Sequence, residues 1–102
     1  MHKVLVLYPP PADPAAFEQH YRDVHLPLVR KLPDMLAHRF TLAVRSQEEP
    51  SPYFAVFEAD FPDEETYVAS MASPEGQAVG ADVPNYASGG VVVLHYDVET
   101  TD

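Results

Sequence analysis

The chain has 102 residues, 46% of them hydrophobic, and a formal net charge of -10 from 16 acidic and 6 basic side chains. Such a length fits one domain, residues 1–102, and so negative a surface repels phosphate backbones and anionic lipid, which argues against nucleic-acid and membrane-surface roles. No cysteine is present, so disulfides, thiolate metal sites and cysteine nucleophiles are excluded.

Residues 3–8 form a short apolar, β-branched run that stops at Pro9-Pro10-Pro11. Length and flanks favour a strand, and the run is far below the roughly 18 apolar residues of a membrane span. No signal-type cleavage site follows it, so a cytoplasmic location is the expectation. Asp13-Pro14 then reads as an N-cap followed by proline at the first helical position, where its missing N–H costs nothing. Phe17, Tyr21, Val24, Leu28 and Leu32 recur at helical spacing, and the helix ends before Pro33.

From residue 36 to 45 the period changes to two, with His38, Phe40, Leu42 and Val44 on one face. A polar connection with two prolines leads to a third apolar run, residues 53–60, and the two runs read as an antiparallel pair. Asp63 opens a helix to about residue 71, with acidic side chains in its first turn. Ser73-Pro74 starts another, to about residue 83, and residues 91–98 supply the last strand. The order is β-α-β-β-α-β, an α+β ferredoxin-like fold with a four-stranded antiparallel sheet and its helices on one face. The strands are apolar on both faces. A bare apolar sheet face needs a cover, and a second copy of the chain placed sheet to sheet supplies one, so a homodimer is expected.

The chemically suggestive segment is the first helix. His25 falls on or beside its buried stripe, four residues after Tyr21, and Pro27 removes a helical hydrogen bond just beyond it. Such a histidine is placed to enter a cavity, although lone helix histidines are more often structural. His20, five residues earlier, falls roughly 140° away at 100° per residue, which makes it a solvated or boundary residue, a bystander unable to share a metal with His25 from a regular helix. Tyr8, Tyr21, Tyr53, Tyr86 and Tyr96 carry hydroxyl tips that could line a pocket, and His38 and His95 on strands could add a second polar group. The spacing asks for no metal site and shows no phosphate loop, and no cofactor is expected.

The segment from Phe17 to Pro33 (FEQHYRDVHLPLVRKLP) resembles the signature of the EthD family: a phenylalanine, then His-Tyr, then a histidine before Leu-Pro, then a proline after the helix. The likeness extends to the opening strand with its proline break, the Tyr-Phe-Ala-Val strand and the Met-Ala-Ser-Pro-Glu-Gly helix start. It implies a dimeric α/β barrel, two ferredoxin-like sheets face to face. Relatives of that fold include cofactor-independent monooxygenases, isomerases, polyketide cyclases and haem-dependent enzymes. The resemblance makes His25 the family's recurring helix histidine, with Tyr21 beside it.

Two functions follow as expectations. One is a cofactor-independent enzyme (oxygenase, isomerase, cyclase or dehydratase type) acting on a small hydrophobic or aromatic molecule. In it His25 is the acid or base, and Tyr21, His38, Tyr53 and His95 bind the substrate. The other is a non-catalytic dimeric binding or accessory protein. A cavity reached by His25 favours the first, and a packed core beneath the helix favours the second.

Overall fold

A computed structural model describes residues 1–101. Strand β1 (His2–Tyr8) pairs antiparallel with both β3 (Ala55–Phe61) and β4 (Val92–Asp97), and β3 pairs with β2 (Ala37–Thr41). The sheet order is β2-β3-β1-β4, the ferredoxin-like arrangement read from the sequence. β3 pairs with β1 from His2 to Tyr8 and β4 pairs with it from His2 to Leu7, so this apolar strand lies inside the sheet. Strand β2 is shorter than its period-two pattern and stops at Thr41. No helix among the described residues is long and apolar enough to cross a membrane.

The helices start where their caps predict. Asp13 accepts the Ala16 N–H at 3.1 Å to open α1 (Pro14–His20), and Asp63 accepts the Thr66 N–H at 2.7 Å to open α3 (Glu64–Ala72). Ser73 both ends α3 and caps α4 (Pro74–Asp82), accepting the Gly76 N–H at 3.1 Å. Gly76 is fixed there by close approach: a Cβ would lie 2.4 Å from the carbonyl oxygens of Ser70 and Met71. Both atoms are backbone, so the α3–α4 corner has to open to admit a methyl group. Gly76→Ala is therefore expected to destabilise the chain by about 1–3 kcal/mol, read as a lower urea midpoint at unchanged slope.

The first helix does not continue as a regular α-helix. After His20 it widens into a π-helical turn, Tyr21–His25, in which the Leu26 N–H reaches back five residues to the Tyr21 carbonyl, and then resumes as α2 (Leu26–Val29). Pro27 sits two residues beyond the widened turn and has no N–H to give to it. An irregularity at Pro27 is thus present, but as an inserted residue rather than a single missing bond.

Even-numbered residues of β1 and odd-numbered residues of β3 face the helices. There Val4, Tyr8, Ala55, Phe57, Ala59 and Phe61 pack with Phe17, Tyr21, Leu26 and Val29 in one buried core. Each large apolar side chain removed from water contributes about 1.5–3 kcal/mol. Among the described residues no helix covers the opposite face, where Val92, Leu94 and Tyr96 remain 37%, 48% and 45% exposed.

Candidate functional site

The widened turn brings two imidazoles onto one carboxylate. In a π turn, residues five apart rather than four align, so His20 and His25 share a face that a regular helix would split between them. His25 Nδ1 donates to Asp82 Oδ2 at 2.9 Å, and His20 Nε2 lies 2.8 Å from Asp82 Oδ1. Asn85 donates to the same Oδ1 at 3.0 Å from the short 3-10 turn Val83–Asn85 that follows α4. The bystander assignment of His20 is therefore corrected: regular helical geometry does not hold between residues 20 and 25.

Asp82 and His25 are both buried. Burial alone pushes the Asp82 carboxyl up, but hydrogen bonds from Asn85, His20 and His25 outweigh it and hold the group below the usual carboxylate range. His25 is shifted the other way. Desolvation lowers it below the ordinary histidine value, against the opposing pull of Asp82, so its imidazole is neutral at pH 7. Because the ionised carboxylate can only accept, the His25 proton sits on Nδ1. Nε2 is left as a base, without a hydrogen-bond partner among the described residues.

Aromatic rings immobilise this pair. Tyr86 lies 4.6 Å from the His25 ring centroid and stacks on His20 at 5.6 Å, while Tyr21 stacks on His25 at 5.4 Å. The Tyr8 and Tyr86 hydroxyls are 2.7 Å apart. Burial raises the ionisation of Tyr8, Tyr21 and Tyr86 far above the usual phenol value, so each is a neutral hydroxyl able to donate.

His25 and Tyr8 open onto a cavity of about 140 Å3 between the sheet and the helices. Val4, Phe57, Ala59, Phe61, Met71 and Val79 are among its apolar wall residues, and the partly exposed Val93 of β4 and Val91 just before it also border it. Apart from His25, Tyr8 and Tyr67 are the only side chains carrying nitrogen or oxygen that line it among the described residues. The volume is close to the roughly 150 Å3 that holds one benzene ring in an apolar engineered cavity, and below the roughly 300–1,000 Å3 of drug-sized pockets.

The other candidate residues are dispersed. Tyr21 lies behind His25, not on the cavity wall. His38 stacks on Phe57 at the β2 edge, Tyr53 precedes β3 in the connection, and His95 lies on β4 at the opposite edge. None of these three lines the cavity. Asp82, which organises the site, was not singled out by spacing. One signal was present: a carboxylate as the last residue of a helix sits at the negative end of the helix dipole, where it is disfavoured without a partner.

Known proteins resemble this chain along nearly its whole length. An uncharacterized 11.0 kDa protein from the thcB–thcC intergenic region of Rhodococcus erythropolis is 39% identical over 100 residues, covering 98% of this chain and 97% of the relative. The crystal structure of an EthD family protein from Bacillus halodurans is 30% identical and superposes with a TM-score of 0.90, over 97% of this chain and 99% of that one. The fold alone recurs at 15% identity in SnoaB, a cofactor-independent oxygenase from Streptomyces nogalater (TM-score 0.65; 98% and 93% covered). It recurs again at 13% in a dimeric protein of unknown function and ferredoxin-like fold from Bacteroides fragilis (TM-score 0.69; 95% of each chain). The model of the EthD domain matches residues 9–90, and the chain belongs to the EthD family.

Proposed function

We propose that the protein is a cofactor-independent enzyme that binds a single-ring hydrophobic molecule, or one ring of a larger one, and moves a proton with His25. The observation that carries the reading is the neutral imidazole on the wall of an otherwise apolar cavity, its Nδ1–H engaged by a buried carboxylate. Asp82 fixes the tautomer and balances the imidazolium that forms when Nε2 takes a proton, the role a carboxylate plays behind any histidine base. Tyr8, which lines the same cavity and whose hydroxyl is held by Tyr86, is the donor for the oxygen on which negative charge develops. Tyr21 acts through its packing on His25, and His20 through its bond to Asp82. The fold's occurrence in a cofactor-independent oxygenase supports chemistry without a bound cofactor. The apolar sheet face, together with the dimeric state of a protein of like fold, supports a homodimer.

Binding is tested without knowledge of the natural substrate. Titrating acetophenone into isotope-labelled protein should shift, saturably, the methyl signals of Val4, Ala59 and Met71, and native mass spectrometry should show any molecule retained from the cell. A set of cavity methyls that stays unmoved at high millimolar probe would leave the space a packing defect and favour the non-catalytic module.

A further inference from the structure

A second cluster of chemistry-bearing side chains lies across Tyr67 from the cavity. His2 on β1 pairs with Asp97 on β4, and Val4 pairs with His95, so His2 and His95 are diagonal neighbours on the helix-facing side of two adjacent strands. Their rings meet, with His2 Nε2 2.9 Å from His95 Nδ1. Glu64, in the first turn of α3, brings Oε2 to 3.9 Å from the same His95 nitrogen. One donor atom from each of His2, His95 and Glu64 lies within 4.8 Å of the others. The two histidines are 93 residues apart in the chain, so no sequence spacing displays the cluster.

We propose that His2, His95 and Glu64 form a binding site for a divalent transition cation of the zinc class. Two imidazole nitrogens and one carboxylate are a borderline donor set, suited to Zn2+ or Co2+ and poorly suited to Mg2+ or Ca2+, which take oxygen ligands. Two ligands at about 2.0–2.1 Å from a tetrahedral zinc are about 3.3 Å apart. The imidazole pair therefore has to separate by a few tenths of an ångström, while the exposed Glu64 side chain closes from 3.9 Å on His95, and from at most 4.8 Å on His2, to about that separation.

The outer contacts fit as well. His2 is buried, with a side chain only 3% exposed, and its Nδ1 donates to Asp97 Oδ1 at 2.7 Å. That is the carboxylate–histidine arrangement which orients a ligating ring and leaves Nε2 its lone pair. Tyr67 supports both rings, at 5.7 Å from His2 and 5.0 Å from His95. His95 and Glu64 are open to solvent, at 37% and 58% side-chain exposure, so the cation has an entry path and a free position for water. The chain's net charge of -10 raises the local cation concentration.

The test is calorimetric titration of ZnCl2 into the full chain carrying no polyhistidine tag, at pH 7.5. One zinc per chain is expected, with His95→Gln and Glu64→Gln each weakening binding at least tenfold. Both positions are partly exposed, and an unchanged circular dichroism spectrum confirms that the variants fold. His25→Gln should bind zinc like the wild type, which separates this site from the His20–Asp82–His25 cluster. Absence of saturable uptake by the wild type, undiminished uptake by His95→Gln, or loss of uptake in His25→Gln would each overturn the assignment. Because zinc uptake is read directly, failure here leaves the acid–base reading of His25 standing, and the reverse also holds.

Discussion

Replacing Asp82 by Asn is expected to cost on the order of 10²-fold or more in proton transfer at His25 while leaving the fold intact. Asn is nearly isosteric and still offers Oδ1 to the His25 Nδ1–H or to His20, but its amide nitrogen can face an imidazole only as a donor. That favours the tautomer with the proton on Nε2 and removes the lone pair the mechanism needs. It also removes the negative charge that stabilises the imidazolium. A suitable reaction is the exchange of the acetophenone methyl protons for deuterium, followed by proton NMR in D2O, because it asks only for a base beside a bound carbonyl. His25→Ala should lower that exchange by about 10²–10⁴-fold, the usual contribution of a positioned base.

The pH profile separates a chemical role from a structural one. The wild-type base is held below the ordinary histidine value by burial, so exchange should be flat above about pH 6.5 and fall only at lower pH. Asp82 pulls that value up, through its hydrogen bond and its charge. In Asp82→Asn the acid limb should therefore move to lower pH as the plateau drops. A plateau that drops with an unmoved limb would show that Asp82 only shapes the pocket, and undiminished exchange in His25→Ala would remove the base from the mechanism.

How much of this was legible in the sequence depends on whether local periodicity or long-range placement decides each feature. The element order was legible because every start carries a local mark: Asp13-Pro14, Asp63 and Ser73-Pro74 all cap the helices they predict. The burial of His25 was legible because Phe17 and Tyr21 set the buried stripe on the same helix. His20 was misread because 100° per residue was applied across a turn that contains an inserted residue, and neither Tyr21 nor Val24 records that insertion. Asp82 was invisible among 16 acidic residues, since its histidine partners come from the first helix, 57 and 62 residues away in the chain. His38 and His95 illustrate the limit for strands. Period two assigns a side chain to a face, but strand order alone sends these two to opposite edges of the sheet.

The largest effect on assembly is expected at Leu94. It lies on the helix-free face of edge strand β4, opposite Leu5, between Val92 and Tyr96. With Leu7 and Val56 these residues make an apolar band, bounded at one end by the ion cluster of Lys3, Arg39, Glu58 and Asp60. In the isolated chain Leu94 is 48% exposed, so Leu94→Asp should alter the stability of a monomer by no more than about 0.5 kcal/mol. Between two sheets the same carboxylate would be stripped of water without a partner, at a cost of several kcal/mol per copy, and a symmetric dimer carries two copies. Sedimentation velocity should therefore give a dimer for the wild type and a monomer for Leu94→Asp at the same micromolar concentration. The variant should also unfold at lower denaturant when concentrated, since the wild type alone gains stability from association. The cavity beside His25 lies on the opposite side of the sheet, so the methyl shifts expected with acetophenone should persist in the monomer. A wild type that sediments as a monomer would leave the exposed band unexplained and end the sheet-to-sheet reading.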